Sequence, residues 1–182
     1  NSGYNKIISK GFHKRFRGKH AEREAIDESR QSLIGSTMYV TLEPCHHYGN
    51  TPPCVDAIIE SRISRVVIAT KDPNPLVNEK SINKLRDNGI EVKTGVRESE
   101  AKELNKSFFY KYSNKKPYMR LKFGVSIDGK IANQKKESKW ITSESSRKVV
   151  QSKRAEVNAI LTTSNTILAD NPNMNIRIFS EL

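Results

Sequence analysis

The sequence predicts an α/β fold, in which helices alternate with the strands of a layered sheet. Two short runs, TMYVTL at 37–42 and RVVIAT at 65–70, are rich in the β-branched and aromatic residues that favour strands. Segments of helix-forming residues separate such runs, and Pro and Gly mark the loops. Alternation of this kind is typical of a sheet covered by helices. The 182 residues fit one to two domains of about 100–200 residues each.

The first 113 residues are predicted to contain strands and helices in alternation. The strands fall at 6–12, 37–42, 65–70 and 90–93. The helices fall at 20–33, 54–61, 82–87 and 99–112. Helix 20–33 presents Ala21 and Ala25 on one face and ends before Gly35. The run Asp72-Pro73-Asn74-Pro75 predicts a loop, because each Pro disfavours the helical region in the residue before it.

A second domain is predicted to begin after the polar segment SNKKP, which has the composition of a linker. Its expected elements are strands at 118–126 and 158–162, a helix at 143–156 capped by Ser143, and turns at 128–129 and 170–172. The second segment opens like a domain and stops without closing one. We therefore expect one domain over 1–113 and the opening part of another over 114–182.

The composition argues against a membrane-spanning chain and against a disulfide-stabilised secreted fold. No segment approaches the roughly 20 apolar residues that a membrane helix needs, and the chain has two cysteines. No charged-then-apolar leader follows Asn1, so we expect a cytoplasmic protein whose true start is missing or processed. The net charge of +12 is scattered and mostly solvated, but the dense run HKRFRGK at 13–19 is a candidate for holding a substrate phosphate.

One histidine and two cysteines have the pattern of a catalytic zinc site. His20 opens a helix within His-Ala-Glu, and Cys45 and Cys54 each follow a proline. Three protein ligands leave a fourth position open, whereas structural zinc usually takes four. Zinc lowers the pKa of its bound water to about 7, and Glu22 is placed to pass a proton to a leaving amine. The arrangement H-x-E…P-C-x-x-C is the signature of zinc deaminases.

Eight residues, 46–53, separate the two cysteines, where the general signature has two. This insertion carries His46, His47 and Tyr48 and is a candidate wall of the substrate pocket. From the residues alone, two other interpretations stay open. Either the cysteines are small buried hydrophobes beside a surface histidine, or the zinc is structural and takes His46 or His47 as its fourth ligand.

Together these motifs resemble a known family. HAE, YVTLEPCHHYGNTPPCVDAI and DPNP are similar to the bifunctional riboflavin-biosynthesis deaminase–reductases. In the second half, YMRLKFGVSIDGKIA, SKWIT and AILTTSNTILADNPNMNIR are similar to the start of that family's reductase domain. The resemblance covers nearly the whole chain, and TPPC together with DPNP distinguishes this family from other zinc deaminases.

The resemblance implies a cytidine-deaminase-like three-layer α/β/α domain followed by the start of a dihydrofolate-reductase-like domain. It implies hydrolytic deamination of 2,5-diamino-6-ribosylamino-4(3H)-pyrimidinone 5′-phosphate, and then NADPH-dependent reduction of the ribosyl chain to ribityl. In the deaminase part, His20, Cys45 and Cys54 would bind Zn2+, and Glu22 would shuttle the proton. In the reductase part, the implied NADPH contacts are Gly124, Trp140, Thr166 and Asp170, and the implied substrate contacts are Ser138, Arg154, Met174 and Arg177.

The chain departs from the family pattern at several places. The helix and the Asn-Pro-containing strand with which the family begins are absent upstream of Asn5, and the reductase part stops at Leu182 before its later cofactor-binding glycines. Asn50 stands where the family has Arg, Lys19 where it has Pro, and EKS at 79–81 where it has Gly-x-Gly. We therefore expect an incomplete NADPH site, and altered substrate contacts rather than altered zinc ligands.

Two other functions remain as alternatives. A deaminase of tRNA or of single-stranded nucleic acid would suit the net charge of +12, although the insertion and the reductase-like half argue against it. An inactive zinc-binding remnant would fit the missing ends. The preferred partner is a small phosphorylated aminopyrimidine, with no membrane and no nucleic acid. A homo-oligomer is a further expectation.

Overall fold

A computed structural model describes residues 6–49, 51–135 and 137–177. Asn50 and the outermost parts of the two expected domains therefore lie outside the described residues. The chain forms two compact units, the first ending at Met119 and the second beginning at Arg120.

A parallel sheet forms the centre of the first unit. Its described strands are β1 (Thr37–Leu42), β2 (Arg65–Thr70) and β3 (Glu91–Thr94), in the order β1-β2-β3. β1 and β2 have the predicted bounds, and β3 begins one residue later than predicted. Because the strands are parallel, their carboxyl ends share one edge of the sheet, where loops that carry functional residues commonly lie.

Helices lie on both faces of this sheet. The helices of the first unit are α1 (Ala21–Glu28), α2 (Cys54–Glu60), α3 (Lys80–Asp87), α4 (Glu98–Leu104) and α5 (Lys106–Asn114). Ile58 of α2, Leu85 of α3 and Ile68 of β2 are fully buried together in the core on one face. On the opposite face, Val67 of β2 and Ala101 of α4 line a common groove and are themselves buried. The predicted α/β/α layering is confirmed.

The prediction of a strand over 6–12 is wrong. This segment has no regular secondary structure, and it pairs with none of the described strands of the sheet. It packs instead against α1, because Gly11 brings the two backbones together. A Cβ at Gly11 would lie 2.1 Å from the carbonyl oxygen of Ala21 and 2.5 Å from the backbone nitrogen of Ala25.

Two predicted helices differ from the observed ones by more than two residues. Helix 20–33 ends at Glu28, since Ser29 is extended and its hydroxyl accepts a hydrogen bond from the amide of Gln31 at 3.3 Å. Helix 99–112 is two helices, α4 and α5, because the backbone of Asn105 leaves helical geometry, with φ −112° and ψ 30°. α5 also extends to Asn114, into the segment predicted to be a linker.

The second unit has two described helices, α6 (Glu144–Ala155) and α7 (Ser164–Asp170). The predicted cap of α6 is confirmed, since the Ser143 side chain accepts a hydrogen bond from the amide of Ser146 at 3.2 Å. The predicted strands at 118–126 and 158–162 are not formed in the described residues. A strand needs a partner strand for its backbone groups, and segment 118–126 pairs with no strand among the described residues. Its apolar side chains Leu121 and Phe123 remain exposed.

No described residue of the second unit is buried, so the packed core of the described chain belongs to the first unit. None of the described helices has the length and apolar character needed to span a bilayer.

Candidate metal centre

Three side-chain donors meet where α1 and α2 begin, near the end of β1. His20 is the residue before α1, Cys45 follows β1 after Glu43 and Pro44, and Cys54 is the first residue of α2. The ligand atoms of His20, Cys45 and Cys54 all lie within 4.8 Å of one another. His20 Nδ1 lies 3.4 Å from each of the two sulfur atoms. In the described part of the chain, His46 and His47 are not members of this cluster.

The cluster fits a zinc ion by its chemistry and by its spacing. One imidazole nitrogen and two thiolates are typical zinc ligands, and bonds of about 2.3 Å to sulfur and 2.0–2.1 Å to nitrogen put tetrahedral neighbours about 3.5 Å apart. The observed 3.4 Å between nitrogen and sulfur agrees with that separation. The amide of Cys54 also donates to Cys45 Sγ at 3.2 Å, a contact that favours the thiolate.

The two thiols differ in their readiness to ionise. A hydrogen bond from the Cys54 side chain, helped by its backbone amide and by His20, lowers the pKa of Cys45 to about 5. The hydrogen bond between the two thiols raises the pKa of Cys54, and burial and the nearby Glu22 carboxylate act in the same direction. The protein alone therefore provides one thiolate near neutral pH, and a cation is needed to ionise the second.

Glu22 lies in the first turn of α1, beside the cluster. Burial of its carboxylate raises the pKa of Glu22 above the ordinary value, and the nearby Cys45 thiolate acts in the same direction. A carboxyl group with a raised pKa can both accept and return a proton near neutral pH, which is the property that a proton shuttle requires.

A cavity of about 250 Å3 opens next to the cluster. Residues of the loop before α1 and of the insertion between the cysteines line it with the ligands His20 and Cys45. The further lining residues are His13, Phe16, Arg17, Gly18, His47, Gly49 and Thr51. The expected role of the insertion as a pocket wall thus has a structural basis. In the sequence His13 is only one member of the basic run, whereas in the structure its ring lies 5.6 Å from that of His20.

The basic run 13–19 is only partly available to an anion. Lys14 pairs with Glu24 of α1 at 2.7 Å, and Lys19 pairs with Asp27 at 2.7 Å. Arg17 instead lines the cavity, and its guanidinium lies 5.5 Å from the centre of the Phe16 ring. Of this run, Arg17 is therefore the cation that faces the cavity.

The residues singled out in the second unit make local contacts. Trp140 is exposed and has the Arg147 guanidinium 4.2 Å from its ring centre, while the amide of Thr166 donates to Thr163 as the cap of α7. Arg177 donates to the carbonyl of Asn173 at 2.8 Å. Among the described residues, these contacts involve none of the other expected NADPH and substrate residues, which are Gly124, Ser138, Arg154, Asp170 and Met174.

Arg154 differs from the other residues singled out in the second unit in the state of its charged side chain. Its Nε and one terminal nitrogen are buried without a hydrogen-bond partner in the described residues. A guanidinium in that state favours an anionic partner, because two N–H groups face in one direction from a planar fork.

Two family descriptions match the chain. Residues 2–70 match the cytidine and deoxycytidylate deaminase zinc-binding region, and residues 117–181 match the RibD C-terminal domain. Among curated relatives, riboflavin biosynthesis protein RibD of Aquifex aeolicus is 49% identical over 172 residues, covering 94% of this chain and 48% of the relative. RibD of Escherichia coli is 46% identical over 176 residues, covering 97% and 48%.

Solved structures agree with these relatives. A diaminohydroxyphosphoribosylaminopyrimidine deaminase/5-amino-6-(5-phosphoribosylamino)uracil reductase from Thermotoga maritima superposes with a TM-score of 0.89 at 46% identity, covering 94% of this chain and 50% of that one. RibD of Acinetobacter baumannii gives a TM-score of 0.91 at 42% identity, covering 96% and 49%. The chain thus spans about half the length of the curated relatives it matches.

Proposed function

The chain belongs to the RibD family, and on that premise we propose that its first unit is a zinc-dependent deaminase of a phosphorylated aminopyrimidine. The observation that carries this proposal is the cluster of His20, Cys45 and Cys54, with Glu22 beside it and a cavity in front. The proposed catalytic residue is Glu22, and the other three are the proposed zinc ligands. The proposed extent of this domain is 1–113.

The reaction follows from what these side chains can do. When bound, zinc supplies Lewis-acid activation of the attacking water. Glu22 accepts a proton from that water and returns one to the departing amino group, so that water and the C–NH2 group become a carbonyl and ammonia. The proposed place for the planar ring is the cavity that His20 and Cys45 line, where Arg17 at the wall offers a cation to an anionic substituent.

The proposed substrate is 2,5-diamino-6-ribosylamino-4(3H)-pyrimidinone 5′-phosphate, which matches the activity in the name of the Thermotoga relative. A cavity of about 250 Å3 accommodates the ring, while the phosphate would lie toward Arg17. The identity to RibD proteins along nearly the whole chain favours this substrate over a nucleic acid and favours activity over an inert remnant.

The second unit is proposed to be part of an NADPH-dependent reductase domain, over 114–182. The proposed NADPH contacts are Gly124, Trp140, Thr166 and Asp170, and the proposed substrate contacts are Ser138, Arg154, Met174 and Arg177. Because its described residues have no buried core, we expect this chain alone to oxidise no NADPH when given the deaminated product. Turnover of NADPH under those conditions would contradict that expectation.

We further propose that the protein works in the cytoplasm, where thiols stay reduced and available as ligands, and that it forms homo-oligomers. Light scattering coupled to size-exclusion chromatography tests the second point, since a mass equal to one chain at working concentration contradicts it.

The decisive experiment is ammonia release from the diaminopyrimidine phosphate, with cytidine and tRNA as competing substrates. The proposal expects release from the phosphorylated aminopyrimidine and none from the other two. Release from tRNA would favour the nucleic-acid deaminase, and zinc-loaded protein without any turnover would favour the inactive remnant.

A further inference from the structure

Glu43, the residue that follows β1, is a buried carboxylate without an ion-pair partner among the described residues. Its exposed fraction is 3%, and no described Lys, Arg or His lies within ion-pair distance of it. Burying a carboxylate is costly unless hydrogen-bond donors replace the lost water. The hydrogen-bond donors around Glu43 therefore indicate what its carboxylate does at this position.

The donors to Glu43 all come from one segment after β2. One carboxylate oxygen accepts from the amides of Asp72 at 3.2 Å and Glu79 at 3.1 Å. The other accepts from the Ser81 hydroxyl at 2.7 Å. The amide of Glu43 donates to the carbonyl of Thr70 at 3.0 Å, so that β1 and β2 are joined up to this point. A single side chain thus ties both ends of the 72–79 loop to the end of β1.

These hydrogen bonds to Glu43 lie next to the candidate metal centre. Cys45 follows Glu43 by two residues, and His47 by four, on the loop that lines the cavity. Asp72 is buried, and its carboxylate interacts electrostatically with His47 and Cys45, so the Asp72 end of the 72–79 loop lies near the loop that lines the cavity. Movement of that loop would move the wall that His47 forms.

We propose that Glu43 is a positioning residue that holds the 72–79 loop against the Cys45–His47 loop and thereby fixes the substrate-facing wall of the cavity. The expected effect on substrate binding rests on the proposed function, whereas the contacts by which Glu43 holds the two loops together do not. Glu43 touches neither the ligand atoms nor the cavity, so it acts through the backbone of these two loops.

Four variants test this role. Glu43→Ala removes all three acceptor contacts, and Glu43→Gln keeps an amide oxygen for the two backbone donors while Ser81 can reverse its hydroxyl. Ser81→Ala removes one contact and leaves the carboxylate in place. Glu91→Gln is the matched control, because Glu91 is exposed and pairs with Arg65 at the opposite end of the same sheet.

The first measurement is hydrogen exchange of the Asp72 and Glu79 amides and of the 45–49 loop in zinc-loaded protein. Glu43→Ala is expected to speed exchange of both amides by about tenfold or more, since each loses a charge-assisted acceptor. Ser81→Ala gives a smaller change in the same direction, Glu43→Gln recovers most of the protection, and Glu91→Gln changes nothing. Unchanged exchange in both loops of Glu43→Ala overturns the proposal. If Glu43→Ala does not fold, Ser81→Ala decides in its place.

The second measurement separates positioning from stability. Glu43→Ala is expected to raise KM for the diaminopyrimidine phosphate about tenfold with a smaller fall in kcat, whereas a purely stabilising residue changes the active fraction and leaves KM alone. An unchanged KM overturns the proposal. If the wild-type protein releases no ammonia, the proposed function fails, and the exchange of the 45–49 loop then decides on Glu43 alone.

Discussion

At the scale of single residues, the candidate metal centre combines side chains whose pKa values are shifted in different directions. Cys45 carries the readily ionised thiol, Cys54 keeps its proton, and Glu22 has a raised pKa because it is buried beside them. Binding a cation at His20 and the two sulfur atoms would displace the thiol proton and leave the Glu22 carboxyl beside the occupied centre. The proposed division of roles between ligands and proton shuttle is consistent with these environments.

Glu22→Gln is expected to retain zinc and to lose ammonia release. Gln has the same shape as Glu but cannot carry a proton between water and the leaving amine, and the loss of such a group lowers the rate by roughly 10²–10⁴. Metal analysis and single-turnover ammonia release measure the two properties separately. Glu24→Gln, whose side chain pairs with Lys14, is the control. Loss of zinc from Glu22→Gln, with His20 and both cysteines intact, would contradict the assignment.

Metal-free protein at pH 7 is expected to contain one thiolate, which titrates near pH 5. The folded pKa of Cys45 is lowered from 9.0 to about 5, so its contribution to stability is complete above pH 9.0, declines as the pH falls, and is lost once the pH falls through about 5. Ultraviolet thiolate absorbance measures the step. Cys45→Ser should remove it, and Cys54→Ser should move it to higher pH. A step unchanged in Cys54→Ser would show that the two thiols do not share a proton.

At the scale of elements, the position of His20 depends on how α1 is held. Gly11 packs its backbone against Ala21 and Ala25, and Lys14 and Lys19 fasten the intervening loop to Glu24 and Asp27. The lysines of these salt bridges are exposed to solvent, so each bridge contributes little to stability. The close approach of Gly11 and the packing of Ile26 against the core therefore hold α1, and with it the imidazole.

Gly11→Ala is expected to lower the free energy of unfolding by about 1–3 kcal/mol, because the new Cβ meets backbone atoms that cannot rotate away. The shift of α1 should also weaken zinc binding through His20. Chemical denaturation and competition with a chromophoric chelator measure the two effects. Gly49→Ala is the control, since a Cβ there meets nothing within 4 Å. Equal stability of Gly11→Ala and Gly49→Ala would refute the role given to this contact.

The elements that the sequence predicted well are those with local signals. β1 and β2 have dense β-branched residues, Ser143 caps α6, and the proline-rich loop 72–75 joins β2 to α3. The ligand set His20, Cys45 and Cys54 was likewise a local motif, and the structure brings its donor atoms together. The failures involve partners elsewhere in the chain. Segment 6–12 has strand composition, but a strand exists only if another strand pairs with it.

Residues such as His13 and Glu43 could not be found by pattern. His13 stands in a run of basic residues and reaches the cavity only because the loop folds back toward His20. Glu43 is a single acidic residue after a strand, and its donors come 29 to 38 residues later in the chain. Long-range contacts of this kind have no signature in spacing.

At the scale of the whole molecule, the two units differ in how they are packed. The first has a core built from β2, α2 and α3, whereas no described residue of the second is buried. The candidate metal centre lies entirely in the first unit and joins the starts of α1 and α2 to the loop after β1. Zinc would therefore act as a cross-link between segments that are up to 34 residues apart in the chain.

Removal of zinc by a chelator is expected to lower the thermal midpoint of the first unit. Zinc binds the folded cluster and not the separated ligands, so saturating metal at about 100 times its dissociation constant stabilises the fold by about 2.7 kcal/mol. Circular dichroism of zinc-loaded and chelated protein measures the shift, and fluorescence of Trp140, the chain's single tryptophan, reports the second unit separately. Cys45→Ser should have the same midpoint with and without chelator. A wild-type midpoint that does not respond to chelator would mean that the three donors do not hold a metal in the folded protein.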